Sequence, residues 1–380
     1  SQGQGPNQLD LLHYCKQPEV DVIILSFVHL FPAQANGFIG TNFGNQCAGQ
    51  VFRAPGFAGV NEPAKNALLS DCSHFSQQIP ACQKTYGKKI ILSLGGGVNS
   101  YQLTGTHEAN LLADQLWYMF GPRNETMVAR GMPRPFDHGS QVVEVDGFDM
   151  DIEHPSTDGS VGYNHLVVRL KSYFATAPKP YLLTGSPQCI VPDKSMASKI
   201  SAAAFDMLFV QFYNTPACSA VTWASGNPDY SPLKASNPGG YTKNAKIYIS
   251  LSGAATAANP GNHVTHVHAG HLVTASSCHP RLGGVAIWEA TYSEGNRFHG
   301  LSYHAYLKKH LVYLQYHLSN FGCRVQPPSP VSYPVPEAPN CGPGIGGCQN
   351  GECCSTYNYC GSSPEHCGVG CQKDFGACRQ

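Results

Sequence analysis

Short apolar runs alternate with amphipathic segments along most of the chain, and glycine, proline or polar residues separate them. This alternation predicts βα units and a parallel sheet, because a parallel connection needs a crossover helix. The predicted strands are 20–31, 89–94, 142–152, 181–185, 207–213, 246–251 and 284–288. The predicted helices are 9–15, 67–81, 109–120, 162–176, 197–204, 263–275 and 301–318, with a long loop over 32–66. Seven or eight such units predict an α/β protein with a (β/α)8 TIM barrel.

The pattern changes after residue 323. Residues 324–340 carry six prolines and no periodicity, which predicts an extended linker. Residues 341–380 carry eight cysteines, and so short a segment needs covalent staples because it cannot bury a sufficient core. We therefore predict a barrel over 1–323, a Pro-rich linker over 324–340 and a small disulfide-rich module over 341–380.

One predicted strand ends in an acid column, which consists of Asp149, Asp151 and Glu153. A strand places these alternating residues on one face, while the apolar residues between them lie on the other. A calcium loop is the competing interpretation, but that loop needs a tight turn with an internal glycine. Crowded charges and burial raise carboxyl pKa values, so the column predicts a site in which one acid stays protonated. Glu153 stands at the carboxyl end, where barrel enzymes keep their catalytic residues.

Composition indicates the compartment and excludes some partners. The 380 residues are 42% hydrophobic and 13% charged with no net charge, which gives no indication of nucleic acid or membrane binding. No apolar run approaches the roughly eighteen residues of a membrane helix. Sixteen cysteines and the absence of a visible signal peptide predict a mature secreted protein, which we expect to be a monomer. Asn124 begins a glycosylation acceptor sequence that fits this compartment.

Four motifs together resemble glycoside hydrolase family 18, in its class III, hevamine-like branch. The run Asp146-Gly-Phe-Asp-Met-Asp-Ile-Glu153 is similar to the family signature Asp-x-x-Asp-x-Asp-x-Glu. Ser93-Leu-Gly-Gly96 resembles the third-strand motif, 210–214 the sixth-strand motif and 284–288 the eighth strand. Because the motifs occur in the family's order and cover roughly residues 4–300, the resemblance implies a chitinase barrel.

The resemblance also implies a role for each catalytic residue. Glu153 would be the general acid, and Asp151 would bind the N–H of the substrate's 2-acetamido group while sharing a proton with Asp149. Tyr213 would bind the acetamido oxygen. In this family the substrate's own acetamido group replaces the carboxylate nucleophile of most retaining glycosidases. The implied reaction is hydrolysis of β-1,4 N-acetylglucosamine linkages with retained configuration and no cofactor.

Further positions match sugar-binding positions of the family, with Trp288 as an apolar floor. The implied substrate-binding residues are Phe27, Gly96, Gln211, Asn214 and Trp288. The run Gly95–Gly97 could bind phosphate instead, but it lacks the Lys-Ser/Thr of a P-loop, so we expect close approach to a sugar.

Four histidines cluster on one predicted helix. They are His263, His266, His268 and His271. They could hold a transition metal, but we expect a solvated surface and no metal.

The last eight cysteines resemble the hevein-type chitin-binding module. The match includes Cys353-Cys-Ser355 and Cys360-Gly-Ser-Ser. A zinc knuckle or a generic disulfide knot is the alternative, and adjacent cysteines in a secreted chain disfavour zinc. The resemblance implies that Ser355 binds an acetamido oxygen and that Tyr357 and Tyr359 stack on sugar faces. His366 stands where the family has a third aromatic residue, which should weaken this surface.

The resemblance implies most of the disulfide pairs. In the barrel these are Cys15–Cys82, Cys47–Cys72 and Cys189–Cys218. In the module they are Cys341–Cys354, Cys348–Cys360, Cys353–Cys367 and Cys371–Cys378. Cys278 and Cys323 remain, and we expect them to pair by elimination.

Three functions compete for this sequence. The leading hypothesis is a secreted endo-acting chitinase whose partners are chitin and its oligosaccharides. A non-catalytic lectin or inhibitor on the same barrel would typically lack the glutamate or its partners, which are all present here. An endo-β-N-acetylglucosaminidase acting on N-glycans is disfavoured by the chitin-binding module.

A closed eight-stranded barrel needs one strand more than the seven apolar runs. In class III relatives an apolar first strand runs into Tyr-Trp-Gly-Gln, and only Gly3-Gln4 can match its end. Without this strand the second and eighth strands would have unpaired edges. We therefore expect the natural chain to carry residues before Ser1. An open barrel, or one completed by another segment, is the alternative.

Overall fold

The computed structural model describes residues 7–47, 52, 68, 72–225, 240–321 and, with short gaps, 341–378. Contacts divide the chain into two compact units, one built on the large sheet and the other on the cysteine-rich segment. The predicted linker, Tyr357 and Cys323 lie outside the described residues, so the predicted domain boundaries stay a prediction.

Within the described ranges, seven parallel strands form the large sheet, which confirms the predicted α/β barrel class. They are β1 (Val22–Leu30), β3 (Lys89–Gly96), β4 (Gly147–Ile152), β5 (Leu182–Gly185), β6 (Met207–Gln211), β7 (Lys246–Ser252) and β8 (Leu282–Trp288). A short strand, β2 (Gly40–Thr41), lies within the predicted loop and pairs with β1 in antiparallel orientation. The strand order is β2-β1-β3-β4-β5-β6-β7-β8, and within the described ranges no strand lies between β8 and β1.

Helices connect the strands as the alternation predicts. They are α1 (Leu11–Cys15), α2 (Phe75–Lys84), α3 (Gly105–Phe120), α4 (Glu125–Ala129), α5 (Val161–Ala175), α6 (Ala197–Ala202), α7 (Ala220–Ala224), α8 (His266–Ser276), α9 (Ala290–Gly295) and α10 (Tyr303–Phe321). The sequence did not predict α4, α7 and α9, which have five or six residues and no room for a helical repeat. Each depends on a cap: the side chains of Asn124, Ser219 and Glu289 accept hydrogen bonds from amides of the first turn.

Strand β4 begins five residues later than predicted. Val143 and Val145 are apolar and buried, but they lie in the connection before the strand. Asp146 fixes the start, because its carboxylate accepts hydrogen bonds from the Ile90 amide of β3 at 2.9 Å and from the Gln83 side chain at 2.8 Å. The register places Gly147 opposite Ile91 and Asp149 opposite Ser93.

The two faces of β4 serve different layers of the barrel, as its alternation predicts. Phe148 faces the helices, and its ring lies 6.2 Å from that of Phe174 on α5. Asp149 points the other way and meets side chains from neighbouring strands. Every residue of β4 is buried, so the acids lie inside the sheet rather than on a solvated edge.

Among the residues that the structure describes there are seven disulfides, and they are the pairs that the resemblance implied. Cys15–Cys82 joins α1 to α2 across a separation of 67 residues, so it limits the unfolded chain more than the shorter loops do. Cys278 is exposed. Its predicted partner Cys323 lies outside the described residues, and that pairing stays a prediction.

The small unit is built around its cysteines. A hairpin of β11 (Cys353–Cys354) and β12 (Cys360–Gly361) is followed by α11 (Pro364–Cys367), while β9 (Arg297–Phe298) and β10 (Leu301–Ser302) form a separate two-stranded sheet earlier in the chain. In the part of the chain that the structure describes, no helix is both long and apolar enough to span a bilayer.

Candidate active site

The acid column lies at the carboxyl end of β4, inside the sheet. Asp149 and Asp151 are 1% and 7% exposed, and Glu153 follows the last residue of the strand and is partly exposed. The site is therefore open at Glu153 and closed at Asp149, as a proton donor at a barrel mouth requires.

Hydroxyl groups from two neighbouring strands surround Asp149. Its carboxylate accepts hydrogen bonds from Ser93 Oγ at 2.7 Å, Thr184 Oγ1 at 2.7 Å and Ser186 Oγ at 3.2 Å. Burial raises the pKa of Asp149, and these three bonds offset part of the rise. The resulting site accommodates the carboxyl group with or without a proton, because hydroxyls can donate or accept.

Gln211, the last residue of β6, links the other two acids. Its Nε2 donates to Asp151 Oδ1 at 3.0 Å, to Glu153 Oε1 at 3.3 Å and to the Ser186 carbonyl oxygen at 3.0 Å. Burial raises the pKa of Asp151 well above its usual range, and the charges of Glu153 and Asp149 add to it. The predicted repulsion between neighbouring carboxylates thus raises the pKa of Asp151, but burial raises it more.

Asp193 contributes to the raised pKa of Glu153, and the sequence did not predict this. Burial raises the pKa of Glu153, the bond from Gln211 opposes the rise, and the charge of Asp193 reinforces it. Asp193 is itself buried and accepts hydrogen bonds from the amides of Gln188 and Ser195, both at 2.7 Å, just before α6. An aspartate before a helix is usually interpreted as a helix cap. Nothing in the sequence therefore indicates that the charge of Asp193 affects the pKa of Glu153.

Tyr213 lies two residues beyond β6 and is buried near Asp151 and Glu153. Burial raises the pKa of its hydroxyl well above the usual range, the charges of Asp151 and Glu153 add to this, and a hydrogen bond with Ser250 opposes it. The hydroxyl therefore stays protonated and can donate. Asn214 has a left-handed conformation (φ 59°), and its Oδ1 accepts from the Asn259 amide at 2.8 Å, so its side chain braces a loop.

Two aromatic rings lie on the two outermost parallel strands, one inside β1 and one at the end of β8. Phe27 on β1 and Trp288 on β8 have ring centroids 5.7 Å apart with a 30° interplanar angle. They border a cavity of about 250 Å³ that also reaches Asp151 and Tyr213 and continues between β1 and β8. The cavity thus combines an apolar wall with acids and a hydroxyl, the usual composition of a small-molecule site.

The glycines at the carboxyl end of β3 provide space for protein groups. A Cβ at Gly95 (φ +103°) would collide with the carbonyl oxygen of Asp151, and one at Gly96 would lie 2.8 Å from the Phe27 ring. One at Gly97 would lie 3.2 Å from Glu153 Oε2. The contacts that require these glycines are those with β4, Phe27 and the acid. Whether a sugar also approaches them stays a prediction.

The predicted histidine cluster does not form a solvated surface throughout. His266 is buried, and its ring lies 4.8 Å from Tyr303 and 5.4 Å from Tyr306, so the expectation is wrong for this residue. His263 Nδ1 lies 3.1 Å from the Ser252 carbonyl oxygen. Among the described residues, no three of these histidines bring their nitrogens together.

Two of the predicted sugar-binding residues of the module, Ser355 and Tyr359, lie between the strands of its hairpin, and His366 lies on α11. Ser355 is buried, and its Oγ accepts from the Tyr359 amide at 3.2 Å. Tyr359 is partly exposed, and the His366 ring packs over Gly361. Tyr357 lies outside the described residues, so the stacking surface as a whole stays a prediction.

A parallel barrel with protonatable carboxyls at its strand ends, beside an aromatic wall, has the parts of a glycoside hydrolase. The sequence model of glycosyl hydrolases family 18 matches residues 1–263. The chain belongs to this family.

Known proteins resemble the chain at two levels. It is 39% identical over 331 residues to a protein named probable endochitinase from Arthroderma benhamiae, covering 82% of this chain but 42% of that protein. The fold is similar to a chitinase from Ipomoea carnea (TM-score 0.61, 25% identity, 81% of this chain and 97% of the other). It is also similar to the xylanase and alpha-amylase inhibitor XAIP-II from Scadoxus multiflorus (TM-score 0.58, 21% identity, 82% and 95%), which concerns the fold alone.

The close approach of β3 to β4 can be tested by adding one methyl group. Gly95→Ala should lower the free energy of unfolding by more than about 3 kcal/mol, because it combines a left-handed φ with a backbone collision. Gly87→Ala is the control: its φ is +66° but nothing lies within 4 Å of its Cβ. It should cost about 1–2 kcal/mol. Denaturant unfolding measures both, and equal losses would contradict a tight β3–β4 contact at the site.

Proposed function

We propose that the protein is a chitinase that hydrolyses β-1,4 N-acetylglucosamine linkages with retention through the substrate's 2-acetamido group. One observation carries the proposal: Asp151, Glu153 and Gln211 are hydrogen-bonded together at the strand ends, with Tyr213 beside them. The first curated relatives are named endochitinases, but the chain spans only about two fifths of their length.

Glu153 is the proposed general acid, and it lies just past the carboxyl end of β4. Because burial raises its pKa, it keeps its proton to higher pH than an exposed glutamate and can give it to the glycosidic oxygen. As the bond from the anomeric carbon to that oxygen breaks, the acetamido oxygen attacks the anomeric carbon from the other side and forms an oxazolinium ion. Water then attacks the same carbon and returns a proton to Glu153, so the enzyme is regenerated and configuration is retained.

Asp151 and Asp149 assist by holding the acetamido group. Asp151 accepts the N–H of that group, which supports the positive charge that develops as the ring closes. Asp151 can take this role although it is buried, because it shares one proton with Asp149. The carboxyl group of Asp149 has three hydroxyl partners. Tyr213 donates its hydroxyl hydrogen to the acetamido oxygen.

The remaining pocket residues shape the sugar site. Trp288 and Phe27 provide an apolar floor, since the C–H faces of sugars pack on aromatic rings. Gly96 leaves room for the Phe27 ring, and Gln211 orients both acids. Asn214 acts through the loop that it braces. The disulfides support a secreted protein, and the module would bind chitin.

A non-catalytic inhibitor is the second candidate, because XAIP-II shares the fold. The complete acid column argues against it in this chain. Buried acids are costly without partners, and here they retain the geometry that catalysis needs.

Replacing Glu153 with glutamine tests the general acid. Glu153→Gln should lower kcat on N-acetylglucosamine oligomers by at least about 10²-fold while binding of the oligomer is retained, because only the proton is lost. Glu144→Gln is the matched control: Glu144 precedes β4 at the opposite end and accepts a hydrogen bond from Tyr181 at 2.7 Å. Steady-state rates and oligomer affinity measure the outcome. A Glu153→Gln enzyme as active as Glu144→Gln would rule out this acid.

Removing the acetyl group from the substrate tests the nucleophile. A fully deacetylated oligomer should not be cleaved, because it lacks the oxygen that attacks the anomeric carbon. Product analysis of the acetylated oligomer at early times should show the β-anomer first. Rapid cleavage of the deacetylated oligomer, or inverted product, would exclude substrate assistance while leaving the glycosidase assignment intact.

Removing the module tests its binding role. Deletion of 324–380 should leave hydrolysis of soluble oligomers nearly unchanged and reduce the rate on insoluble chitin, because tethering concentrates enzyme at the solid. Tyr357→Ala in the full chain should reproduce most of that effect. Equal losses on both substrates would show that the module supports the barrel rather than binding chitin.

A further inference from the structure

Tyr101 lies behind the acid column, in the connection between β3 and α3. Its side chain is buried, and its ring packs between Phe31, at 5.1 Å, and His154, at 4.3 Å. This packing fixes the ring and so fixes the position of the hydroxyl group at its end.

The hydroxyl of Tyr101 joins the ends of two strands. It donates to the Gly96 carbonyl oxygen at 2.9 Å, with the Asp151 carbonyl oxygen at 3.5 Å as a weaker acceptor. It accepts from the backbone N–H of Glu153 at 3.1 Å. One side chain thus contacts the last residue of β3 and the backbone of two members of the acid column.

The contact stands where the sheet stops holding the chain. Gly96 pairs with Ile152, and this is the last pair of the β3–β4 ladder. Glu153 is the next residue, so its N–H lies beyond the ladder and depends on another acceptor. Tyr101 supplies that acceptor.

We propose that Tyr101 is a positioning residue for Glu153, holding its backbone so that the carboxyl group points at the glycosidic oxygen. This inference rests on the proposed function, because it takes Glu153 as the general acid. Burial raises the pKa of Tyr101, so the hydroxyl keeps its hydrogen over the working pH range and both bonds persist.

A neighbouring tyrosine provides a matched control. Tyr163 is also buried, and its ring packs on the same Phe31, at 6.3 Å. Within the described residues its hydroxyl has no hydrogen-bond partner. Tyr163→Phe therefore removes a buried hydroxyl group from the same aromatic cluster without removing a contact to Glu153.

The test compares two substrates that differ in their need for an acid. One is an N-acetylglucosamine oligomer, whose leaving alcohol must be protonated. The other is the 2,4-dinitrophenyl glycoside of N,N′-diacetylchitobiose, whose leaving group departs as a stable anion. Tyr101→Phe should lower kcat/KM on the oligomer about 10- to 100-fold, because a misplaced acid transfers its proton poorly. On the aryl glycoside the loss should stay within about threefold.

The ratio of the two rates does not depend on the folded fraction, because one preparation cleaves both substrates. Tyr163→Phe should leave the ratio unchanged, and Glu153→Gln should change it in the same direction as Tyr101→Phe but further. Equal losses of Tyr101→Phe on both substrates, or none, overturn the positioning role. If Glu153→Gln itself loses equally on both, the acid assigned in the proposed function is wrong, and Tyr101 has no acid to position.

Discussion

Burying Asp149 and Asp151 inside the sheet costs free energy unless their oxygens are hydrogen-bonded or protonated. The partners come from strands on both sides: Ser93 lies on β3, Thr184 on β5 and Gln211 on β6. These residues are far apart in sequence and meet only when four strands pair in the correct register. The stability of the acids and the register of the sheet are therefore one constraint. Burial raises the pKa values of both carboxyl groups, and these hydrogen bonds offset part of that rise.

The outer edge of β1 is only partly paired with another strand. β2 pairs with β1 at Val28 and Leu30, so it protects only the carboxyl-terminal part of that edge. The amino-terminal part of β1 faces the cavity that continues toward β8. β2 thus braces the carboxyl-terminal end of β1, next to Phe27.

Local patterns predicted the strands and the long helices because each buries a full face, and burial leaves a periodic trace in the sequence. The start of β4 was wrong because Val143 and Val145 are buried in a connection, which has the same apolar signature as a strand. The short helices were missed because their stability depends on a single cap, such as Asn124.

The acid column was predicted from three alternating residues and a family resemblance. Asp193 and Tyr101 were not, because each acts on Glu153 through space from a connecting segment. A one-dimensional pattern cannot encode such distances. His266 was placed wrongly for the same reason: its burial depends on Tyr303 and Tyr306, which arrive from a later helix.

The amide of Gln211 carries two hydrogens, yet three acceptors lie within reach of its nitrogen: Asp151, Glu153 and the Ser186 carbonyl. At any moment one of the three acceptors therefore receives no hydrogen bond from this amide. A proton on either acid resolves the shortage, because a carboxylic acid can donate a hydrogen bond as well as accept one. The count of hydrogens in this small network therefore matches a singly protonated pair better than a fully ionised one. In the proposed reaction, a substrate N–H bound by Asp151 would supply the missing hydrogen and leave the Gln211 amide free to donate to Glu153 as that residue gives up its proton.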